Sequence, residues 1–110
     1  MATQGLVTIR VGGQVKMKIV AGSNGMKAES LAISIRRLGR VPEIDEAYTL
    51  AVKHKFGTDG CLVVMTRRQV RYEGEERLNR LYRRTFNDPN FNPRWKFGTA
   101  DHVKVIDLKD

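Results

Sequence analysis

A chain of 110 residues with 41% apolar and 29% charged content has the size and balance of one globular domain, and we read residues 1–110 as a single unit. The formal charge is +8, the apolar runs are too short to span a bilayer, and residues 1–13, MATQGLVTIRVGG, lack a charged start followed by an apolar run, so no secretory signal is expected. A single cysteine, Cys61, excludes an internal disulfide and fits a reducing compartment, so a cytoplasmic protein without membrane contact is expected.

The elements follow in chain order. In residues 6–11, LVTIRV, positions Leu6, Thr8 and Arg10 alternate with Val7, Ile9 and Val11. Residues 15–20, VKMKIV, alternate again, and Gly12-Gly13 lies between the two runs. Two β-branched runs around a Gly-Gly turn predict a hairpin with one buried face and one basic, solvent-facing side carrying Arg10, Lys16 and Lys18. After the loop AGSNG, the apolar spacing of Ala28, Leu31, Ala32, Ile35 and Leu38 predicts a helix over 26–38, stopped by Gly39. The opening hairpin and helix resemble the start of a β-grasp domain, over about a third of the chain. A second helix is expected from Pro42 to Gly57. Glu43, Asp45 and Glu46 suit its positive end, and Lys53, His54 and Lys55 its negative end.

The apolar run Gly60–Met65 predicts a strand buried on both faces and central in the sheet. A turn at Arg67-Arg68-Gln69 leads to a short return strand at Val70–Tyr72. A third helix follows over 75–86, with Leu78, Leu81, Tyr82 and Phe86 on one face. Asp88-Pro89 and Asn92-Pro93 mark irregular chain, and HVKVIDL, residues 102–108, is a last strand. The order β-β-α-α-β-(β)-α-β implies an α+β fold: a single-layer mixed or antiparallel sheet of four or five strands with three helices.

Charge is unevenly distributed. Residues 1–40 carry a balance of +6 and residues 66–96 one of +5, separated by an acidic stretch. On the third helix Arg77, Arg80, Arg83 and Arg84 fall within an arc of about 120°, opposite the apolar face. Guanidinium is weakly hydrated and forks onto phosphate oxygens. The expected function is therefore non-catalytic binding of DNA or RNA through backbone phosphates, by Arg77, Arg80, Arg83 and Arg84 with help from Arg10, Lys16 and Lys18. The competing interpretation of this helix face is ordinary solvated charge balanced by Glu73 or Glu76.

Between Phe86 and Phe97, rings and cations interleave. Phe91, Trp95 and Phe97 beside Arg94 and Lys96 suit base stacking, but pinning of a turn-rich segment to the core is favoured. The helix pair resembles the two-helix pieces of sigma-factor linker domains and other helix-turn-helix modules at Leu38-Gly39-Arg40, Pro42 and Asp45-Glu46-Ala47. Acids at the start of its second helix oppose a DNA-reading role, because phosphates repel them.

Two further function classes are weighed. An interaction or self-assembly module would use a basic face against an acidic partner or a second copy. A small cysteine-dependent hydrolase or transferase would need Cys61, a histidine (His54 or His102) and Asp101, yet Cys61 opens an apolar strand, where a buried hydrophobe is expected. No paired ligand spacing points to a metal and no motif to a cofactor. The loop Ser23-Asn24-Gly25 could hold an anion on its amides, although a plain turn is the simpler expectation.

Overall fold

The computed structural model describes residues 3–57, 62–68, 76–92 and 100–109, with the side chains of Leu78 and Tyr82 excluded. It contains a four-stranded mixed sheet and three α-helices. The strands are β1 (Gly5–Val11), β2 (Gln14–Ala21), β3 (Leu62–Thr66) and β4 (His102–Leu108). The helices are α1 (Ala28–Leu38), α2 (Ile44–Lys53) and α3 (Glu76–Phe86), with one 3-10 turn at Gly25–Lys27 before α1. The expected return strand at Val70–Tyr72 lies outside the described residues, as do Cys61 and the segment from Pro93 to Thr99.

The hairpin forms as its glycines require. Gly12 and Gly13 have φ of 60° and 79°, the two left-handed positions of a tight turn matched to strand twist. Strand order is β3-β2-β1-β4. β1 and β2 are antiparallel, β2 and β3 are antiparallel, and β4 lies parallel to β1. This corrects the expected position of the apolar strand: β3 is at an edge, and the hairpin occupies the centre.

A second correction follows from it. The hairpin has no solvent-facing side over most of its length, since Gly5–Ile9 and Met17–Ala21 are buried throughout. Val7, Ile9, Met17 and Ile19 pack with Leu31, Ile35, Ala47, Ala51 and Phe56 on the face covered by α1 and α2. Leu6, Val15, Val20 and Met65 pack with Phe86 and Ala100 on the opposite face. The sheet is therefore sandwiched between the α1–α2 layer and the end of α3.

The β1–β2 register shifts between Ile9 and Arg10: Ile9 pairs with Met17, but Arg10 pairs with Val15. Lys16 is the extra residue of this bulge, and the shift moves Val15 onto the face of Arg10, Thr8 and Leu6. Simple alternation had placed Val15 with Met17 and Ile19.

The helix ends are built from charge and geometry. Glu43 and Glu46 form a reciprocal capping box at the start of α2. Arg40 adds a two-pronged ion pair to Glu46, with N–O distances of 2.8 and 2.9 Å. The acids that oppose a DNA-reading role for this helix pair thus serve its own helix start. The guanidinium and the Glu43 amide hold the Glu46 carboxyl below its ordinary range.

The start of β1 is packed against the turn that precedes α1. The Gly25 N–H donates to Thr3 O at 3.0 Å. A Cβ on Gly5 would lie 2.6 Å from Gly25 Cα and 2.6 Å from the Phe56 ring. Only a residue without a side chain fits between two backbones this close. Gly5→Ala is expected to lower unfolding free energy by about 1–3 kcal/mol, an overpacking penalty measurable by urea denaturation. A change below about 0.5 kcal/mol, the size typical of surface substitutions, would show that the contact yields freely.

Candidate nucleic-acid interface

The four arginines of α3 behave as their spacing requires. Arg77, Arg80, Arg83 and Arg84 are all exposed, while Phe86 on the other side of the helix is buried. Among the described residues, Arg77, Arg80 and Arg84 have no ion pair or hydrogen-bond partner. Arg83 is held more closely. Its Nε donates to Asn79 O at 3.3 Å, and Nη2 lies 3.9 Å from Glu76 Oε2. That ion pair joins two largely exposed groups at the limit of contact and neutralises little.

The hairpin cations divide three ways. Lys16 is exposed on the bulge and donates to Gln14 Oε1 at 3.0 Å. Arg10 lies on the sheet face that carries α3, but its guanidinium is engaged by Asp107 through bonds of 2.7 and 2.9 Å. The hydrogen bond from Arg10 holds the Asp107 carboxyl below its ordinary range. Lys18 departs furthest from expectation: it is fully buried and offers no surface to a phosphate.

Burial of Lys18 has a structural purpose visible in its contacts. Its Nζ donates to Asp88 O at 2.6 Å, to Phe91 O, and at 3.4 Å to Thr85 O. The ammonium also lies 5.6 Å from the centre of the Phe86 ring, within cation–π range. Opposite Lys18 in the ladder, Thr8 Oγ1 donates to Pro89 O at 2.7 Å. One lysine and one threonine on the sheet thus grip the end of α3 and the turn behind it. The carbonyls at a helix C-terminus lack internal partners and carry partial negative charge, which is what a buried cation can satisfy. Sequence reasoning missed this because alternating lysines in a strand ordinarily mark a wet face.

Between this gripped segment and the turn after β3 lies a cleft of about 210 Å³ lined by Arg67, Arg83, Phe86 and Asn87. Arg67 Nη2 donates to Asn87 Oδ1 at 2.6 Å. Arg67 had been assigned only to a chain reversal. Nothing in the sequence ties a residue at 67 to one at 83, since they meet only when the end of α3 packs against the sheet.

The other site candidates contribute less. Asp101 accepts the Gln4 N–H at 3.1 Å, which ties β4 to the start of the chain. Cys61, Arg94, Trp95, Lys96 and Phe97 lie outside the described residues. The Gly25 amide is taken by Thr3, so the loop Ser23-Asn24-Gly25 does not present it to an anion. Among the described residues no cluster of three or more metal-ligating side chains occurs, and no helix is long and apolar enough to cross a membrane. Comparison with protein-family models, with curated proteins and with solved structures finds no match.

Lys18 also gives the fold a pH signature. Desolvation is the larger influence and lowers its pKa from 10.5 to about 8, opposed by the nearby Asp88 charge. The unfolded chain keeps this proton up to about pH 10.5 and the folded chain releases it near 8, so stability rises with pH between these values. Below pH 8 both states are protonated and the cost of burying the ammonium is present in full. The separation corresponds to roughly 3 kcal/mol by the linkage relation. Lys18→Met, which takes the donor from Phe91 O and leaves Thr85 O and Asp88 O only their turn bonds from the Asp88 and Phe91 N–H groups, is expected to lose about 1–3 kcal/mol at neutral pH. Urea denaturation from pH 7 to 10 should show the gap between wild type and variant widening above pH 8. Parallel curves would refute the buried ammonium.

Proposed function

We propose that the protein binds nucleic acid without catalysis, through backbone phosphates met by the exposed face of α3. The observation that carries this is the set of Arg77, Arg80 and Arg84, exposed and without carboxylate partners among the described residues. A solvated helix face in its resting state ordinarily pairs its cations with acids one turn away. Here the one such acid on α3, Glu76, reaches only Arg83, and at the contact limit. Arg83 and Arg67 extend the basic surface past the helix toward the sheet edge. Lys16 adds charge at the bulge, while Arg10 is paired with Asp107 at the surface and Lys18 is buried.

Such a surface reads charge and spacing rather than base identity, so weak sequence preference is expected. DNA and RNA are both candidates, because phosphate spacing alone discriminates poorly between flexible single strands. The second reading, an assembly module, draws on Tyr48 and Val52, two exposed apolar residues one helical turn apart on α2.

Arg80→Glu combined with Arg84→Glu is expected to weaken binding of a single-stranded oligonucleotide at least about a hundredfold at low salt, through lost contacts and added repulsion. Fluorescence anisotropy across a salt series measures both affinity and slope. The logarithm of affinity should fall linearly with that of salt in the wild type and more shallowly in the variant. Equal affinity of the two proteins would end the nucleic-acid reading, and a salt-resistant oligomer by light scattering would favour assembly.

A further inference from the structure

We propose that the cleft lined by Arg67, Arg83, Phe86 and Asn87 is the seat of a single phosphate group, the fixed point from which the rest of the α3 face is aligned. The inference rests on the nucleic-acid reading for the source of that phosphate. The cleft itself stands on four independent features of its walls.

First, two guanidiniums from distant parts of the chain border one space of about 210 Å³, large enough for a phosphate and part of its sugar. Two like charges are not brought together without cost unless a counter-charge joins them. Among the described residues, the one carboxylate paired with either is Glu76, 3.9 Å from Arg83 and itself largely exposed.

Second, both arginines are oriented before any ligand arrives. Arg67 is held by Asn87 Oδ1 at 2.6 Å and Arg83 by Asn79 O at 3.3 Å. Each of these bonds uses one edge of a guanidinium and leaves further N–H donors for phosphate oxygens. Preorganised forks lose less freedom on binding than free ones.

Third, the bond from Arg67 fixes the Asn87 amide. Its oxygen is the acceptor, so its Nδ2 is directed elsewhere as a neutral donor, without a partner among the described residues. Arg67, Arg83 and Asn87 together offer donors only, the complement of a phosphate.

Fourth, the negative pole that a helix C-terminus would otherwise present here is covered from below. Lys18 binds Thr85 O, Asp88 O and Phe91 O on the sheet side of the same segment. The buried ammonium adds positive potential beneath the cleft. Phe86, almost wholly buried, forms an apolar wall that limits competing water without offering a face for base stacking.

The test uses the full chain as wild type, Arg67→Ala, Arg83→Ala and Arg67→Lys, the last keeping charge but losing the planar fork. Two probes are applied: inorganic phosphate, followed by the NMR shifts of the Asn87 side-chain amide, and a short single-stranded oligonucleotide lacking terminal phosphates, followed by anisotropy. Phosphate is expected to move the Asn87 amide saturably in the wild type and not in Arg67→Ala. Each alanine variant is expected to weaken the oligonucleotide about tenfold or more and to reduce the salt slope by about one, with Arg67→Lys between. All three substitutions are at exposed positions, and unchanged unfolding midpoints would exclude loss of fold as the cause. Equal oligonucleotide binding by wild type and both alanine variants would overturn the cleft as a phosphate seat and leave the α3 reading standing. A phosphate response at Asn87 without oligonucleotide binding would overturn the nucleic-acid reading and assign the cleft to a small phosphoryl ligand. No response to either probe would overturn both.

Discussion

The interior ammonium of Lys18 is the constraint on which one whole face of this structure depends. It sits on β2, a central strand, and hydrogen bonds three main-chain carbonyls at and beyond the end of α3. Without a donor there, Phe91 O would lose its partner against an apolar sheet, and Thr85 O and Asp88 O would keep only the turn bonds from the Asp88 and Phe91 N–H groups. With it, a helix whose outer face is almost entirely charged acquires a fixed seat. Thr8, its partner across the ladder, holds Pro89 in the same way and keeps the turn from lifting. A cation is an expensive choice for a core position, since an aliphatic side chain would pack without desolvation. It brings specificity instead: only one placement of the helix end offers it three acceptors.

The opposite face is fixed by apolar packing. α1 and α2 contribute small buried residues, Ala28, Ala32, Ala47 and Ala51, alongside Leu31, Ile35 and Phe56. Alanines let helix backbones approach the sheet closely, and Phe56 then fills the space beside Gly5 and Gly25. Truncating a ring buried this completely typically costs about 3–5 kcal/mol. The two faces therefore use different physics. One is held by non-directional burial and the other by directed bonds to a helix end. The second is suited to setting the position of a functional helix, because hydrogen bonds discriminate between placements that hydrophobic contact would tolerate.

This division explains why the basic character of the chain is concentrated on α3. Of the cations in the opening hairpin, Arg10 is matched by Asp107 and Lys18 by carbonyls, so the positive balance of the first forty residues is partly internal bookkeeping. The arginines of α3 are exposed, and Arg67 joins Arg83 around the cleft at its end. The surface best placed for an anionic partner is thus narrower than net charge suggests, and it includes a residue from a turn 16 positions upstream of Arg83.

Local pattern was enough to read every α-helix and strand in the described residues. Period-two alternation marked β1, β2 and β4, apolar spacing near 3.6 marked α1 and α2, and the arginine arc of α3 was legible because helical geometry alone sets it. What the sequence could not reveal depends on neighbours distant along the chain. The run Leu62–Met65 looks central by composition, yet it lies at the edge because the hairpin takes both middle positions. Lys16 and Lys18 look equivalent, yet a bulge turns the first outward and α3 covers the second. The cleft joins Arg67 to Arg83 and Asn87 only after the end of α3 packs against the sheet. By itself the sequence determined the elements and the charged face of α3, since these follow from bonding and periodicity within a few residues. Tertiary structure alone decided which cations remain available, because burial and pairing are set by whatever else the folded chain brings within hydrogen-bonding distance.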